Sequence, residues 1–340
     1  MKLEVIIPTY NRAEMLRRTL TSMIAADKSS EMAVRVVVVD NNSKDHTRKV
    51  VEEIQAGNKL DLHYIFEPRQ GRTKALNTGI KNADADLLGT IDDDEEVARN
   101  WFTEVEKIFT ERWDSVDFIS GCCLPNFETS QPAWLPPTGY NAVIGKIDCG
   151  EDELIFGQDF NGILSGGNSV IKLSVFCEIG LYNEDLGRTE KGLLTCDDDE
   201  MHHRLLNAGK RGIHDPKLLI YHFVPQSRLT KKYHRVWCYG WGKSRAVMER
   251  IIPPLPLPRF FGVPRYMYGD AVRGLLKMFG SYLRFNSNAA FQHELPFWVL
   301  AGYINSKFKK NKNRKPKTEN QKTKDIIGNK PQSPRATETK

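Results

Sequence analysis

Four short runs rich in β-branched residues occupy the first 97 positions, each separated from the next by a helix-like stretch. They are Leu3 to Pro8, Val34 to Val39, Leu62 to Phe66 and Ala85 to Ile91. The second, Val34-Arg35-Val36-Val37-Val38-Val39, is a nearly unbroken apolar run, as expected of a strand buried on both faces. Between the runs, Leu16, Leu20 and Ile24 recur at helical spacing, and 43–54 and 71–82 are compatible with helices. Strands that alternate with helices of this length build a mainly parallel sheet with crossover helices on its faces. Such sheets bind ligands beyond the carboxyl ends of their strands. Polar and acidic residues stand at those ends here: Pro8-Thr9-Tyr10-Asn11 after the first run, Asp40 after the second, and Asp92-Asp93-Asp94-Glu95-Glu96 after the fourth.

After Val97 the pattern loosens. The sequence predicts a helix over 101–109, a strand over 118–121, an ordered loop rich in Pro and aromatic residues over 126–140, and a turn at Ser165-Gly166-Gly167-Asn168 leading into a strand. A short helix over 175–181, a helix over 197–207 and a strand over 218–222 follow, then a basic, aromatic helical stretch over 228–250. Prolines interrupt the chain at 253–264, before mixed amphipathic helix over 265–304. The expected organisation is an α/β domain at 1–225 with a nucleotide-binding half (1–97) and an acceptor half (98–225). A helical extension (226–304) and a basic, disordered tail (305–340) complete it.

Charge is unevenly spread. The 340 residues carry a net +6, but 307–340 alone hold 12 Lys or Arg against 3 Asp or Glu. The remaining 37 basic and 40 acidic residues leave the rest of the chain slightly acidic, so its basic character is no sign of a nucleic-acid-binding fold. Six cysteines, none in a CxxC pair, fit free thiols in a reducing compartment. The N-terminus enters a strand at once, and the longest apolar stretch, 295–304, falls short of a membrane span. The expected location is cytoplasmic. The segment around Lys231, Arg235, Trp237 and Trp241 either covers an acceptor or, with the cationic tail, meets the inner face of a membrane peripherally.

Two acid clusters carry the chemistry. Asp92 and Asp94, clustered at a strand end, suit a hard divalent cation such as Mg²⁺ or Mn²⁺, which completes its shell with water and phosphate oxygens. Solvated helix-start residues are the alternative. The second cluster, Asp197-Asp198-Asp199-Glu200, opens a helix; a cap needs one Asp, and the surplus points to a general base. Asp40 reads as a nucleotide contact or as an Asx-turn. Arg72 and Lys74 read as phosphate partners or as a solvated face. His222 reads as a third metal ligand or as a packed residue, and His202 and His203 as surface or packing residues.

Taken in order, these stretches resemble the motifs of family 2 inverting glycosyltransferases with the GT-A fold. The resemblance runs through Val5-Ile6-Ile7-Pro8-Thr9-Tyr10-Asn11-Arg12, through Val36 to Asp40 with Asn42-Ser43-Lys44-Asp45, and through Glu67 to Ile80. It continues in Ile91-Asp92-Asp93-Asp94, which matches the DxD element, and in Asp197 to Leu205. It covers roughly 3–245. It implies that Thr9, Asp40 and Asp92 contact the nucleotide, that Asp94 binds Mg²⁺ or Mn²⁺, and that Asp198, with Asp197 beside it, is the catalytic base. With the readings above, the expected site joins Pro8, Thr9, Tyr10, Asn11, Asp40, Arg72, Lys74, Asp92 and Asp93 to a nucleotide sugar and Asp94, Asp92 and His222 to the cation. The implied reaction is inverting transfer from a nucleotide-diphosphate sugar, a UDP-sugar being the first choice. The acceptor would be a glycan or lipid-linked hydroxyl in cell-surface glycan synthesis, with no role for nucleic acid. The Gln-x-x-Arg-Trp motif of processive synthases is absent. Metal-dependent nucleotidyl transfer and non-catalytic binding of a sugar nucleotide are the alternatives.

Overall fold

The computed structural model describes residues 1–135, 141–160, 162, 164–188, 195–252 and 256–309. Its first half alternates β1 (Lys2–Thr9), α1 (Ala13–Ala25), β2 (Ala33–Asp40), α2 (Thr47–Ala56), β3 (Asp61–Phe66), α3 (Arg72–Asn82) and β4 (Leu87–Thr90). There follow β5 (Glu95–Val97), α4 (Trp101–Arg112), β6 (Phe118–Phe127), β7 (Leu154–Ile155), β8 (Ser169–Lys172), α5 (Leu173–Ile179), α6 (Asp197–Asn207) and β9 (Gly212–Val224). The chain ends in α7 (Lys231–Met248), β10 (Arg259–Phe260), β11 (Val263–Pro264), α8 (Arg265–Leu283) and α9 (Ser287–Phe308).

One sheet holds most of these strands in the order β3-β2-β1-β4-β8-β6-β9-β5, with β7 also on β9. β1 to β4 are mutually parallel, as the alternating pattern requires. β8 runs antiparallel between β4 and β6, and β6 pairs in parallel with β9. Side chains alternate across the sheet. Leu3, Val5, Ile7, Val36 and Val38 pack against Leu16, Leu20, Trp101 and Phe109 on one face. Ile6, Val37 and Val39 pack against Leu76, Ile80, Val175 and Met201 on the other. Each fully buried side chain of this size contributes about 1.5–3 kcal/mol, so the double-sided Val run anchors the domain.

β6 and β9 bend together. Their register slips between Gly121 and Cys123, and a Cβ on Gly121 would run into the Leu218 carbonyl oxygen. Asn168, wholly buried, pins the bend: its Nδ2 donates to the carbonyls of Cys122 (2.9 Å) and Leu218 (2.7 Å), and its Oδ1 accepts from Trp101 Nε1 (2.8 Å). Beyond the bend β9 pairs antiparallel with β5, setting Glu95 opposite His222.

Several boundaries differ from the sequence reading. The acidic run is not one solvated stretch. It makes a turn and then the strand β5, with Asp93, Asp94 and Glu95 all buried. β6 and β9 run well past the short strands expected, because each serves both sides of the bend. The Asn11 Oδ1 accepts from Lys44 N (2.6 Å) and its N–H donates to Ser43 Oγ (2.9 Å), tying the loops after β1 and β2. The C-terminal stretch splits into α8 and α9, with Asn286 capping α9 through Ala289 N (2.9 Å). α9 continues through Phe308, past the expected start of the tail; residues 310–340 lie outside the described residues. α7 and α9 lie almost backbone to backbone: a Cβ on Gly242 would meet the Val299 carbonyl, and one on Gly302 the Tyr239 carbonyl. The described cysteines are free thiols. Among the described residues no helix is long and apolar enough to cross a membrane.

Candidate active site

The register of the parallel strands brings their carboxyl ends level. Thr9 pairs with Asp40, and Ile6 with Thr90 one strand over. Above these ends opens a cavity of ≈ 1410 Å³, walled by the loops after β1 and β4, the start of α6, and the helices α7 to α9.

The acidic run turns inward at its floor. The Thr9 hydroxyl donates to Asp93 Oδ2 (2.7 Å), and Arg12 Nη1 donates to both Asp93 Oδ1 and Asp94 Oδ2 at 2.9 Å. Burial pushes Asp93 up to about 6 despite Arg12. Burial acts on Asp94 too, but His222, Arg12 and Arg228 overcome it and hold Asp94 low. Burial also lowers His222, against the pull of Asp94. Burial, with Asp92 and Asp94 beside it, raises Glu95 well above the usual carboxylate range; its Oε2 accepts from Asp92 N (2.8 Å).

Arg72, the first residue of α3, joins the two acid clusters. Its Nε donates to Asp92 Oδ1 (2.9 Å), its Nη1 to Asp197 Oδ2 (2.8 Å) and Asp198 Oδ1 (3.3 Å), and its Nη2 to the Gly166 carbonyl (2.9 Å). Asp197 and Asp198 begin α6, where the helix dipole favours negative charge. The residue before them, Cys196, is buried and holds a left-handed φ of 78°. Strain of this kind collects at functional sites. Asp197 is the more enclosed of the two, and 24% of the Asp198 side chain is exposed. Burial raises Asp198; Arg72 opposes it, and Asp197 and Asp92 add to the rise. The Gly166-Gly167 pair leaves room for both clusters, since a Cβ on Gly166 would strike the Asp198 carboxylate and one on Gly167 the Glu95 carboxylate.

Of the residues singled out in the sequence, Pro8, Thr9, Tyr10, Asn11, Arg72, Asp92, Asp93, Asp94, Asp197 and Asp198 all line this cavity. Asp40, Lys74 and His222 do not. Asp40 accepts from Ser43 N (2.8 Å) through Oδ1 and from Tyr64 OH (2.7 Å) through Oδ2, so each of its oxygens has a partner within the protein. Lys74 Nζ donates to the Gln70 carbonyl (3.2 Å). The three-residue metal set does not assemble. Among the described residues no three His, Cys, Asp or Glu side chains converge as a cation shell. His222 Nε2 approaches Asp94 Oδ2 to 3.7 Å, but Asp92 is turned to Arg72. Asp94 and His222 nevertheless fit the protein half of such a site. The His222 Nδ1 lies 3.1 Å from the Ile144 carbonyl, which turns Nε2 toward Asp94, where a cation would displace the Arg228 N–H that Nε2 accepts. The Arg228 guanidinium spans this pair, at 2.9 Å from His222 Nε2 and 3.0 Å from Asp94 Oδ2.

Arg228, Arg12 and Arg188 line the cavity without having been singled out for a role. Arg12 ends the quoted Pro8-Thr9-Tyr10-Asn11-Arg12 stretch; Arg228 follows His222 by six residues, a spacing that signals nothing until β9 is seen to end beside the acidic turn. In α7, Trp237 packs in the C-terminal core and stacks on Trp241 at 6.0 Å, while Arg235 pairs with Glu294. Both tryptophans line the cavity, so this face of α7 is one of its walls. His202 packs on Phe156 at 5.1 Å and His203 bonds Asn207, the packing roles expected for both.

Residues 4–165 match the model of glycosyl transferase family 2. The succinoglycan biosynthesis protein ExoM of Rhizobium meliloti is 26% identical over 144 residues, 42% of this chain and 46% of that protein. The glucosyl-dolichyl phosphate glucuronosyltransferase of Haloferax volcanii is 25% identical over 258 residues, 74% of this chain and 79% of that protein. The chain thus spans about half the length of the first relative. Among solved structures, the mannosyltransferase PcManGT of Pyrobaculum calidifontis, in complex with GDP-Man and Mn²⁺, shares the fold. Its TM-score is 0.62 at 18% identity, covering 91% of this chain and 87% of that one.

Proposed function

We propose, from the match of residues 4–165 to the glycosyl transferase family 2 model and the geometry of the cavity, that this chain transfers a sugar from a nucleotide-diphosphate sugar to an acceptor hydroxyl in one inverting displacement. The observation that carries this reading is that Asp94 and Asp198 line one cavity, with Arg72 bonded to Asp92 on one side and to Asp198 on the other. The nucleotide binds over Thr9 to Arg12 and Asp92 to Asp94. Arg12, Arg188 and Arg228 supply positive charge where a diphosphate would leave. Asp94 and His222 would hold the divalent cation, which when bound neutralises the departing diphosphate as a Lewis acid. That pairing agrees with the Mn²⁺ and GDP-Man named for the solved mannosyltransferase.

Asp198 takes the proton from the attacking hydroxyl. Its exposed quarter lets an acceptor reach it, and its raised proton affinity makes it a better base than a free carboxylate. Asp197, closer to Arg72 and more enclosed, positions that guanidinium. A glycan or lipid-linked acceptor lies against Trp237, Trp241 and Tyr266, whose rings suit a sugar face or an isoprenoid. The Haloferax relative, named for a glucosyl-dolichyl phosphate, favours the lipid-linked class, in keeping with cell-surface glycan synthesis on the cytoplasmic side. The test is a thermal-shift screen of UDP-, GDP-, dTDP- and CMP-sugars with and without Mn²⁺, then product analysis with the stabilising donor. A donor that stabilises the protein and is transferred with inversion by the wild type, and no longer by Asp198→Asn, is the expected result. Absence of stabilisation by every nucleotide sugar overturns the reading.

A further inference from the structure

α8 turns two faces to its surroundings. Met267, Ala271 and Gly274 are buried, seating it against its neighbours. On another face, Val272, Leu276, Phe279 and Leu283 follow at i, i+4, i+7 and i+11, which is one stripe of a helix. Those four are 56%, 68%, 62% and 82% exposed. Exposed Phe rings bracket the helix in the chain: Phe260 and Phe261 at the β10–β11 turn before it, and Phe285, 98% exposed, after it. A contiguous apolar stripe of this kind on a soluble surface marks a contact face.

Its charge identifies the partner. Arg273, Lys277 and Arg284 run along one flank of the stripe, and Asp270, the sole acidic residue of α8, is paired with Arg273 at 2.6 Å. The chain from 307 onward adds 12 basic against 3 acidic residues. Beyond Phe308 and Ile326-Ile327 that segment has little apolar content, and its charge suits an anionic surface. The same helix places Tyr266 and Met267 on the cavity wall beside Trp237 and Trp241.

We propose that α8 is an interfacial helix that docks this protein on an anionic lipid bilayer. The stripe and flanking Phe rings enter the acyl boundary, and the basic flank and tail meet the headgroups. Docking sets the acceptor wall of the cavity next to the bilayer, so a lipid-borne acceptor reaches Asp198 while its chain stays in the membrane. This last step rests on the transfer reaction proposed above; the docking does not.

The full chain is floated with vesicles of phosphatidylcholine alone or with about 30% phosphatidylglycerol. Binding is expected with the anionic vesicles only, weakening as salt rises. The pair Leu276→Glu and Phe279→Glu, on open surface away from the cavity, is expected to weaken it about tenfold or more, with the nucleotide-induced thermal shift unchanged. Reversing Arg273, Lys277 and Arg284 to Glu is expected to weaken the binding further and to reduce its salt dependence, the tail supplying the remainder. Wild-type protein that ignores anionic vesicles, or stripe variants that float as well as wild type, overturn the proposal while leaving donor binding intact. So does a wild-type dimer that the stripe variants convert to monomer, which would make a second copy the occupant.

Discussion

Replacing Asp198 by Asn should make the protein more stable and nearly inactive, and the first effect should depend on pH. Burial and the carboxylates of Asp197 and Asp92 push Asp198 up to about 7, against Arg72. In the unfolded chain an Asp titrates near ~3.9. Because the folded value is the higher, the native state holds the extra proton between these limits. The stability linked to it is fully present below the unfolded value and is lost as pH rises through the folded one. A rise of about three units is worth roughly 4 kcal/mol at ~1.4 kcal/mol per unit. With 24% of the side chain in contact with water, screening reduces this to about 1–2 kcal/mol. Asn cannot ionise and so escapes the loss. Urea denaturation near pH 8 should therefore show Asp198→Asn about 1–2 kcal/mol more stable than wild type, with the difference vanishing near pH 4. Its transfer rate should fall about 10²–10⁴-fold, the usual worth of a general base. An unchanged or lower midpoint near pH 8, or the same gain at both pH values, would refute the placement of a strained anionic base at this position.

Other perturbations test the same geometry. Arg72→Gln strips the counter-charge from Asp92, Asp197 and Asp198. It should cost about 3–5 kcal/mol near pH 8 and less near pH 5, where the orphaned carboxylates take up protons, as chemical denaturation at both values would show. Asp94→Asn should abolish the Mn²⁺-dependent part of nucleotide-induced thermal stabilisation and keep the metal-free part; loss of both together would point to a folding role instead. Gly302→Ala drives a methyl into the Tyr239 carbonyl where α7 meets α9. It should lower stability by about 1–3 kcal/mol, whereas Gly280→Ala, with open space around it, should not. Trp241→Ala should raise the acceptor KM and leave donor affinity unchanged in initial-rate measurements.

Local pattern made the nucleotide-side half legible. Each of β1 to β4 is a short apolar run with its own helix, and the burial of Val36 to Val39 on both faces follows directly from the parallel sheet. The acid clusters were legible as well, because Asp92 to Glu96 and Asp197 to Glu200 violate what a solvated surface needs. What escaped was whatever depended on distant pairing. β5 is three residues long and exists only because β9 bends back to meet it at Glu95 and His222. The link made by Arg72 spans more than a hundred positions, from α3 to α6, and no spacing in the sequence announces it. Asp40 followed the same strand-end logic as Thr9, yet Tyr64 one strand over claims its second oxygen. The stripe on α8 was read as mixed amphipathic helix, since periodicity alone does not say which of two apolar faces finds a partner.

The bend shared by β6 and β9 also restricts motion. β9 begins beside β7 and ends beside the acidic turn, and β6 accompanies it on both sides of the kink at Gly121. The two banks of the cleft are therefore stitched to the same ribbons and cannot swing apart like jaws. Adjustment to a guest is left to rotating guanidiniums and to loops at the rim of the cavity.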